Sequence, residues 1–294
     1  MTDEGPTGRQ SIRVTAALTA LTLVAFAGNS VLCRLALGDS TIDAAAFTTI
    51  RLLTGALTLL ALAGARDRRL PRRQHGNWVS AFVLFAYAVA FSYAYLSLGA
   101  GTGALILFGA VQATMIAVGL HAGERPSRVE WAGLLVALAG VIWLVLPGLT
   151  APSPAGTGLM ALAGVAWGVY SLRGRRTRDP LPETAGNFLR SVPMVAVVAL
   201  LAADEIHLTG RGFVLATASG ALASGVGYVI WYAALRGLTA TRAAIVQLAV
   251  PVLAASGGVA FLAETITTRL VVAAVLILGG VGAASASRRS AADR

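Results

Sequence analysis

Two arginines, Arg51 and Arg190, stand inside otherwise apolar runs, 139 positions apart. A charged group at the centre of a bilayer costs about 2.5–3.5 kcal/mol on insertion scales, so each needs a partner or a task. One task is to attract an anionic or carboxylate substrate from opposite sides. The other reading is structural: the guanidinium snorkels or bonds backbone carbonyls and so fixes helix packing. Amides, hydroxyls and aromatic rings accompany them at Asn29, Ser30, Tyr93, Tyr95, Gln112, Thr114, Trp167, Tyr170, Tyr228, Trp231, Tyr232 and Gln247. Such groups suit a mostly apolar pocket with a few directional contacts. Tyr95 and Trp231, late in their runs, suit an interfacial aromatic belt equally well. The candidate substrate-binding set is Asn29, Ser30, Arg51, Tyr93, Gln112, Trp167, Tyr170, Arg190, Tyr228 and Gln247. Candidate gating residues are Pro251, which frees a backbone carbonyl in mid-helix, and the helix-end acids Glu124 and Glu264. Arg125 and Arg128 follow the first acid and Arg269 the second, so ion pairs or helix caps are both open readings.

Other chemistries find little support. The 23 basic residues are all arginine, so no Walker A lysine exists. His75, His121 and His207 are isolated, and no His-Glu-x-x-His is present. The sequence therefore predicts no cofactor, no metal site and no catalytic residues. A lipid-modifying membrane enzyme would need ionisable groups clustered at one interface, and these are scattered. Helix 1 has no carboxylate, which disfavours proton exchange through an acid there. Cys33 is the one cysteine, so no internal disulfide forms.

These residues must be positioned by a chain that is 56% hydrophobic and 12% charged, with a mean hydropathy of +0.75. Soluble domains carry roughly 25% charged residues, so the lipid bilayer is the expected solvent. The net charge of +10 does not indicate a nucleic-acid partner, because the arginines fill short gaps between apolar runs. The run after Arg13 is too long for a signal-peptide core and reads as a retained span. Ten transmembrane helices are expected, at 14–37, 44–65, 78–98, 101–120, 130–147, 157–173, 184–203, 212–235, 241–263 and 270–287. Small residues at Gly99–Gly103 and the pair Pro147-Gly148 divide runs too long for one span. With the N-terminus inside, 18 of the 23 arginines fall in cytoplasmic segments and 3 outside. The positive-inside rule expects this split, and it places both termini in the cytoplasm and the chain in the inner membrane.

The two halves also match each other. Arg51 aligns with Arg190, and Tyr93-Ala94-Tyr95-Leu96 with Tyr232-Ala233-Ala234-Leu235, at an offset of 139. At 140, Gly28 meets Gly168, Glu124 meets Glu264, and Gly140-Val141 meets Gly280-Val281. Each half holds five helices, an odd number, so the second enters from the opposite side as an inverted repeat. That geometry is characteristic of secondary transporters. The expected division is a tail at 1–13, repeats at 14–148 and 157–287, an external linker at 149–156 and a tail at 288–294. Gly280 and Ala284 form a small-residue pair that packs either within the chain or in a homodimer.

The chain resembles the EamA-type drug/metabolite transporter superfamily over about residues 14–287. The resemblance rests on Ala27-Gly28-Asn29-Ser30 and Trp167-Gly168-Val169-Tyr170, on Pro251, on the tyrosine-to-leucine stretches above, and on Gly123-Glu124 and Ala263-Glu264. Two positions depart from the pattern: Ala27 replaces a tryptophan, and Val111 stands where the first half would carry a proline. The resemblance implies a cavity built from helices 1–4 and 6–9, with helices 5 and 10 peripheral. It also implies export of metabolites. The expected function is a secondary transporter of small metabolites such as amino acids, working by alternating access. The alternatives are a non-transporting scaffold and, further off, the membrane enzyme.

Overall fold

A computed structural model describes residues 12–68, 75–121, 127–146, 148, 151–174, 177, 179–238 and 246–292. The described residues fold almost wholly into helices: α1 (Ile12–Gly38), α2 (Ala44–Asp67), α3 (Trp78–Ala94), α4 (Ala100–His121) and α5 (Arg128–Val145). The second half gives α6 (Pro154–Gly174), α7 (Pro180–Leu201), α8 (Gly210–Leu235), α9 (Ala249–Leu262) and α10 (Thr268–Ala292). Six of them (α1, α2, α4, α6, α7 and α8) are long and apolar enough to cross a membrane, and the other four are shorter apolar helices. Their outward faces carry Val24, Leu57, Leu135, Leu222, Phe261 and Val275, all exposed. An exposed apolar belt of this kind is a surface for lipid.

The ends of the helices follow from short side chains. Asp43, Asn77 and Thr209 each accept from a backbone N–H three residues on and cap α2, α3 and α8. Pro180 and Pro182 open α7, where a missing N–H is harmless. Three features depart from the sequence expectation in ways that shape the site. Helix 3 stops at Ala94, and 95–98 form turns, because the Tyr95 carbonyl is taken by the Arg34 guanidinium at 3.0 Å. Ser219–Val226 within α8 is π-helical. Helix 9 breaks at Leu248, and Pro251 lies in the first turn of α9, not in mid-helix: proline donates no N–H to the Gln247 carbonyl four residues back. Residues 241–245 of that expected span lie outside the described residues.

The packing links the halves throughout. α1 lies against α8 and α9, and α6 lies against α3 and α4. α2 packs on α7, α4 on α9, and α5 on α10. Each of these main contacts is mirrored by its counterpart in the other half. Close approach between α5 and α10 needs Gly280, where an added Cβ would sit 2.4 Å from the Gly133 carbonyl oxygen. The small residue here serves packing within the chain.

Loops meet at two opposite faces. On one, Ile42 and Leu208 form an antiparallel bridge between the α1–α2 and α7–α8 connections. The other is the arginine-rich face. There Arg66, ending α2, donates to Asp179 before α7 at 2.9 Å. That hydrogen bond holds the Asp179 carboxyl below the usual carboxylate range. A lowered folded value means the clasp stabilises above an unfolded value of about 3.9 and is lost as pH falls through the folded one. Both groups are solvated, so Asp179→Asn is expected to cost less than about 1 kcal/mol at neutral pH and nothing in strong acid. Thermal unfolding in detergent at several pH values measures this difference.

Candidate functional site

Arg51 is the largest fully buried side chain described, 2% exposed. Its Nε donates to Ser224 Oγ at 3.2 Å and its Nη2 to Tyr87 Oη at 2.9 Å. The guanidinium carbon lies 5.1 Å from the Tyr87 ring centre and 4.9 Å from that of Phe91. Desolvated cation–π contacts contribute about 2 kcal/mol each and offset part of the burial cost. None of the ion pairs found among the described residues involves Arg51. Its Nη1 is buried with no hydrogen-bond partner, and so is Tyr228 Oη.

Asn29 extends this network. Its Nδ2 donates to Tyr87 Oη at 3.4 Å, and its Oδ1 accepts from Ser219 Oγ at 2.6 Å. Ser219 and Ser224 are five residues apart. In an α-helix that is about 1.4 turns, so they would face different ways. The π-helical i→i+5 ladder brings them into line, one on Asn29 and one on Arg51. The same segment crosses α2 so tightly at Gly220 that an added Cβ would meet Thr54 Oγ1 at 2.0 Å and the Arg51 carbonyl oxygen at 2.3 Å.

Beside this network is a small chamber of about 20 Å³, lined by Phe26, Asn29, Ser30, Tyr87, Phe91, Leu107, Phe108, Trp167, Ala223 and Tyr228. Phe26 stands edge-on to Trp167, Tyr228 and Trp231. Trp167 and Tyr228, 5.0 Å apart, form the layer on one side. One turn further along, Tyr170 and Tyr232 line a vestibule of about 720 Å³ that opens at the arginine-rich face beside Asn77, Ser80, Arg173 and Glu183. Arg173 donates there to Ser80 Oγ at 2.9 Å and to Asn77 Oδ1 at 3.1 Å.

At the opposite end a charge pair sits beside a second cavity of about 370 Å³, lined by Arg34, Gly99, Gly101 and Glu264 among others. Ala263 adopts a left-handed conformation after α9, which turns Glu264 back over α4. Both Glu264 carboxylate oxygens accept from the Ala100 N–H, at 3.0 and 2.9 Å, capping α4 from the other half of the chain. Arg34 Nε lies 3.5 Å from the same carboxylate. The partner of Glu264 is therefore Arg34, not its sequence neighbour Arg269, which instead bonds the Leu144 and Leu146 carbonyls ending α5.

The structure brings together Asn29, Ser30, Trp167 and Tyr228 at the chamber, with Arg51 behind Tyr87 and Phe91 of its wall and Tyr170 between chamber and vestibule. It separates Arg190, which is half-buried and bonds the His75 and Gly186 carbonyls. Gln112 and Gln247 are buried outside the chamber lining, and Tyr93 is partly buried away from it. Glu124 lies outside the described residues. Tyr87, Ser219 and Ser224 belong to the network, and Arg34 to the Glu264 end, without having been marked by sequence. The run Ser219-Gly220-Ala221-Leu222-Ala223-Ser224-Gly225 is a signal of close packing, but not of its register.

Residues 14–146 and 154–286 match the model of the EamA-like transporter family. An uncharacterised protein of Pseudomonas aeruginosa, PA1977, is 50% identical over 282 residues, spanning 96% of this chain and 98% of that one. The threonine/homoserine exporter RhtA of Escherichia coli K12 is 28% identical, over 83% of this chain and 81% of the relative. The protein of that name from Salmonella typhimurium is 27% identical, over 84% of each. A solved crystal structure superposes with a TM-score of 0.66 at 23% identity, covering 92% of this chain and 97% of the other.

Gly220→Ala is expected to destabilise by about 1–3 kcal/mol, because two backbones and Thr54 must shift. Gly28→Ala, where an added Cβ meets nothing within 4 Å, is expected to be neutral. Melting temperatures of the two variants in one detergent provide the comparison.

Proposed function

The chain belongs to the EamA-like transporter family and is a membrane transporter, and we propose that it is a secondary carrier exporting small metabolites such as amino acids by alternating access. The observation that carries the mechanism is the asymmetry of closure. A vestibule of about 720 Å³ opens toward the aromatic layer from the arginine-rich face, while at the other end Arg34, Glu264 and the start of α4 are bonded together beside a smaller cavity of about 370 Å³. The central chamber lies between them.

In this reading the ten helices cross the inner membrane as two inverted five-helix repeats, with both termini in the cytoplasm. The mirrored contacts between helices support the repeat, and the arginine split supports the orientation. The state described is then open to the cytoplasm. Substrate enters past Tyr170 and Tyr232, reaches Trp167 and Tyr228, and leaves when the Glu264 latch parts. Asn29, Ser30, Arg51, Trp167, Tyr170 and Tyr228 are proposed to contact substrate; Glu264 gates. The break before Pro251 gives α9 a place to bend. The exporter names of the RhtA relatives support outward transport of amino acids.

Purified protein in proteoliposomes is expected to give saturable flux of at least one amino acid, with L-threonine and L-homoserine tested first. Absence of saturable flux across all common amino acids counts against the proposal. The latch has its own test. Cys33 is fully buried next to Arg34 and is the chain's one thiol. Losing the cap in Glu264→Ala removes about 1 kcal/mol from the closed state, so membrane-impermeant maleimide is expected to label Cys33 roughly five-fold faster in that variant.

A further inference from the structure

The transport reading leaves a chemical question at the chamber, and the answer offered here rests on that reading. We propose that Arg51 Nη1 and Tyr228 Oη together bind the carboxylate of the transported molecule, so that the substrates are small monocarboxylates, with or without an amino group. Arg51 and Tyr228 are 2% and 3% exposed, and these two atoms are polar donors without a partner. They come from facing helices, α2 and α8. Ser224, which holds Arg51 Nε, is one helical turn before Tyr228, which puts both on one face of α8. Tyr87 links the pair to the cavity, since it accepts from Arg51 and lines the chamber beside Tyr228.

The ligand must supply acceptors to both donors. It must also carry negative charge, because none of the ion pairs among the described residues balances Arg51. One guanidinium balances one charge, which favours a carboxylate over a phosphate dianion. Arg190 is not a second anion site, for its guanidinium bonds the His75 and Gly186 carbonyls at the arginine-rich face. The chamber of about 20 Å³ encloses no more than the carboxylate end. The remainder of the molecule lies against Trp167 toward the vestibule. Aromatic faces there accept an apolar chain or, through cation–π attraction, an ammonium group. A cationic amine without a carboxylate would place its charge beside Arg51 and is rejected.

The test uses matched families in proteoliposomes: neutral amino acids, their des-amino acids and their decarboxylated amines. L-leucine, 4-methylpentanoate and isoamylamine form one such set. Flux, and melting-temperature shift in detergent, are expected for the first two kinds and not the third. Arg51→Gln is expected to weaken carboxylate binding at least ten-fold. Tyr228→Phe, which keeps the ring and removes only the orphan hydroxyl, is expected to weaken it several-fold with unchanged melting temperature. If amines are carried as well as acids, or if folded Tyr228→Phe binds carboxylates like the parent, the carboxylate assignment is overturned while transport stands. If no member of any family crosses, the transport reading falls and the assignment falls with it.

Discussion

A buried guanidinium with no counter-ion among the described residues sets the terms for the centre of this molecule. Arg51 cannot lose its proton, so the fold must surround a permanent charge with whatever lowers its energy. It does so with two ring faces, a phenol oxygen and a serine hydroxyl. Each belongs to a different constraint. Tyr87 and Phe91 come from α3 and Ser224 from the π-helical stretch of α8. Asn29 of α1 is tied to the set through Tyr87 and Ser219. Four helices from both halves therefore converge on one cation, and the register of each is fixed by it.

The same economy appears at the closed end. Glu264 ends one helix, caps another and faces Arg34 on a third. An exposed salt bridge contributes little by itself. This one also satisfies the Ala100 N–H at the start of α4. Opening that end frees an N–H as well as a charge, and both then need water. The cost of parting them is modest, which suits the proposed gate.

Much of this architecture is legible in the residues. The arginine gaps and Gly/Pro breaks mark the helices to within a few residues over most of the chain, and Arg51 stands out because no neighbouring residue explains it. Family membership rests on motifs that are individually loose. Other features are hidden for physical reasons. Arg190 has the same local pattern as Arg51, yet it bonds the carbonyl of His75, in a loop over a hundred residues away, and that of Gly186 in its own helix. Tyr87 and Phe91 look like ordinary lipid-facing aromatics until α2 is placed. Ser219 and Ser224 acquire a common direction only through the wide turn, which small residues permit but do not announce. Glu264 is separated from Arg269 and joined to Arg34 by one left-handed residue, Ala263, and an alanine carries no signal of that conformation.

The outermost pair, α5 and α10, packs chiefly on itself and reaches the body of the molecule through α4. None of its described side chains lines the chamber or the large vestibule, and Leu270 alone of them reaches the smaller cavity beside Glu264. Sequence drift in that pair is therefore free of the constraints that selectivity imposes. Its damage, when it comes, falls on how many copies reach the bilayer intact and leaves the preferences of each surviving copy alone.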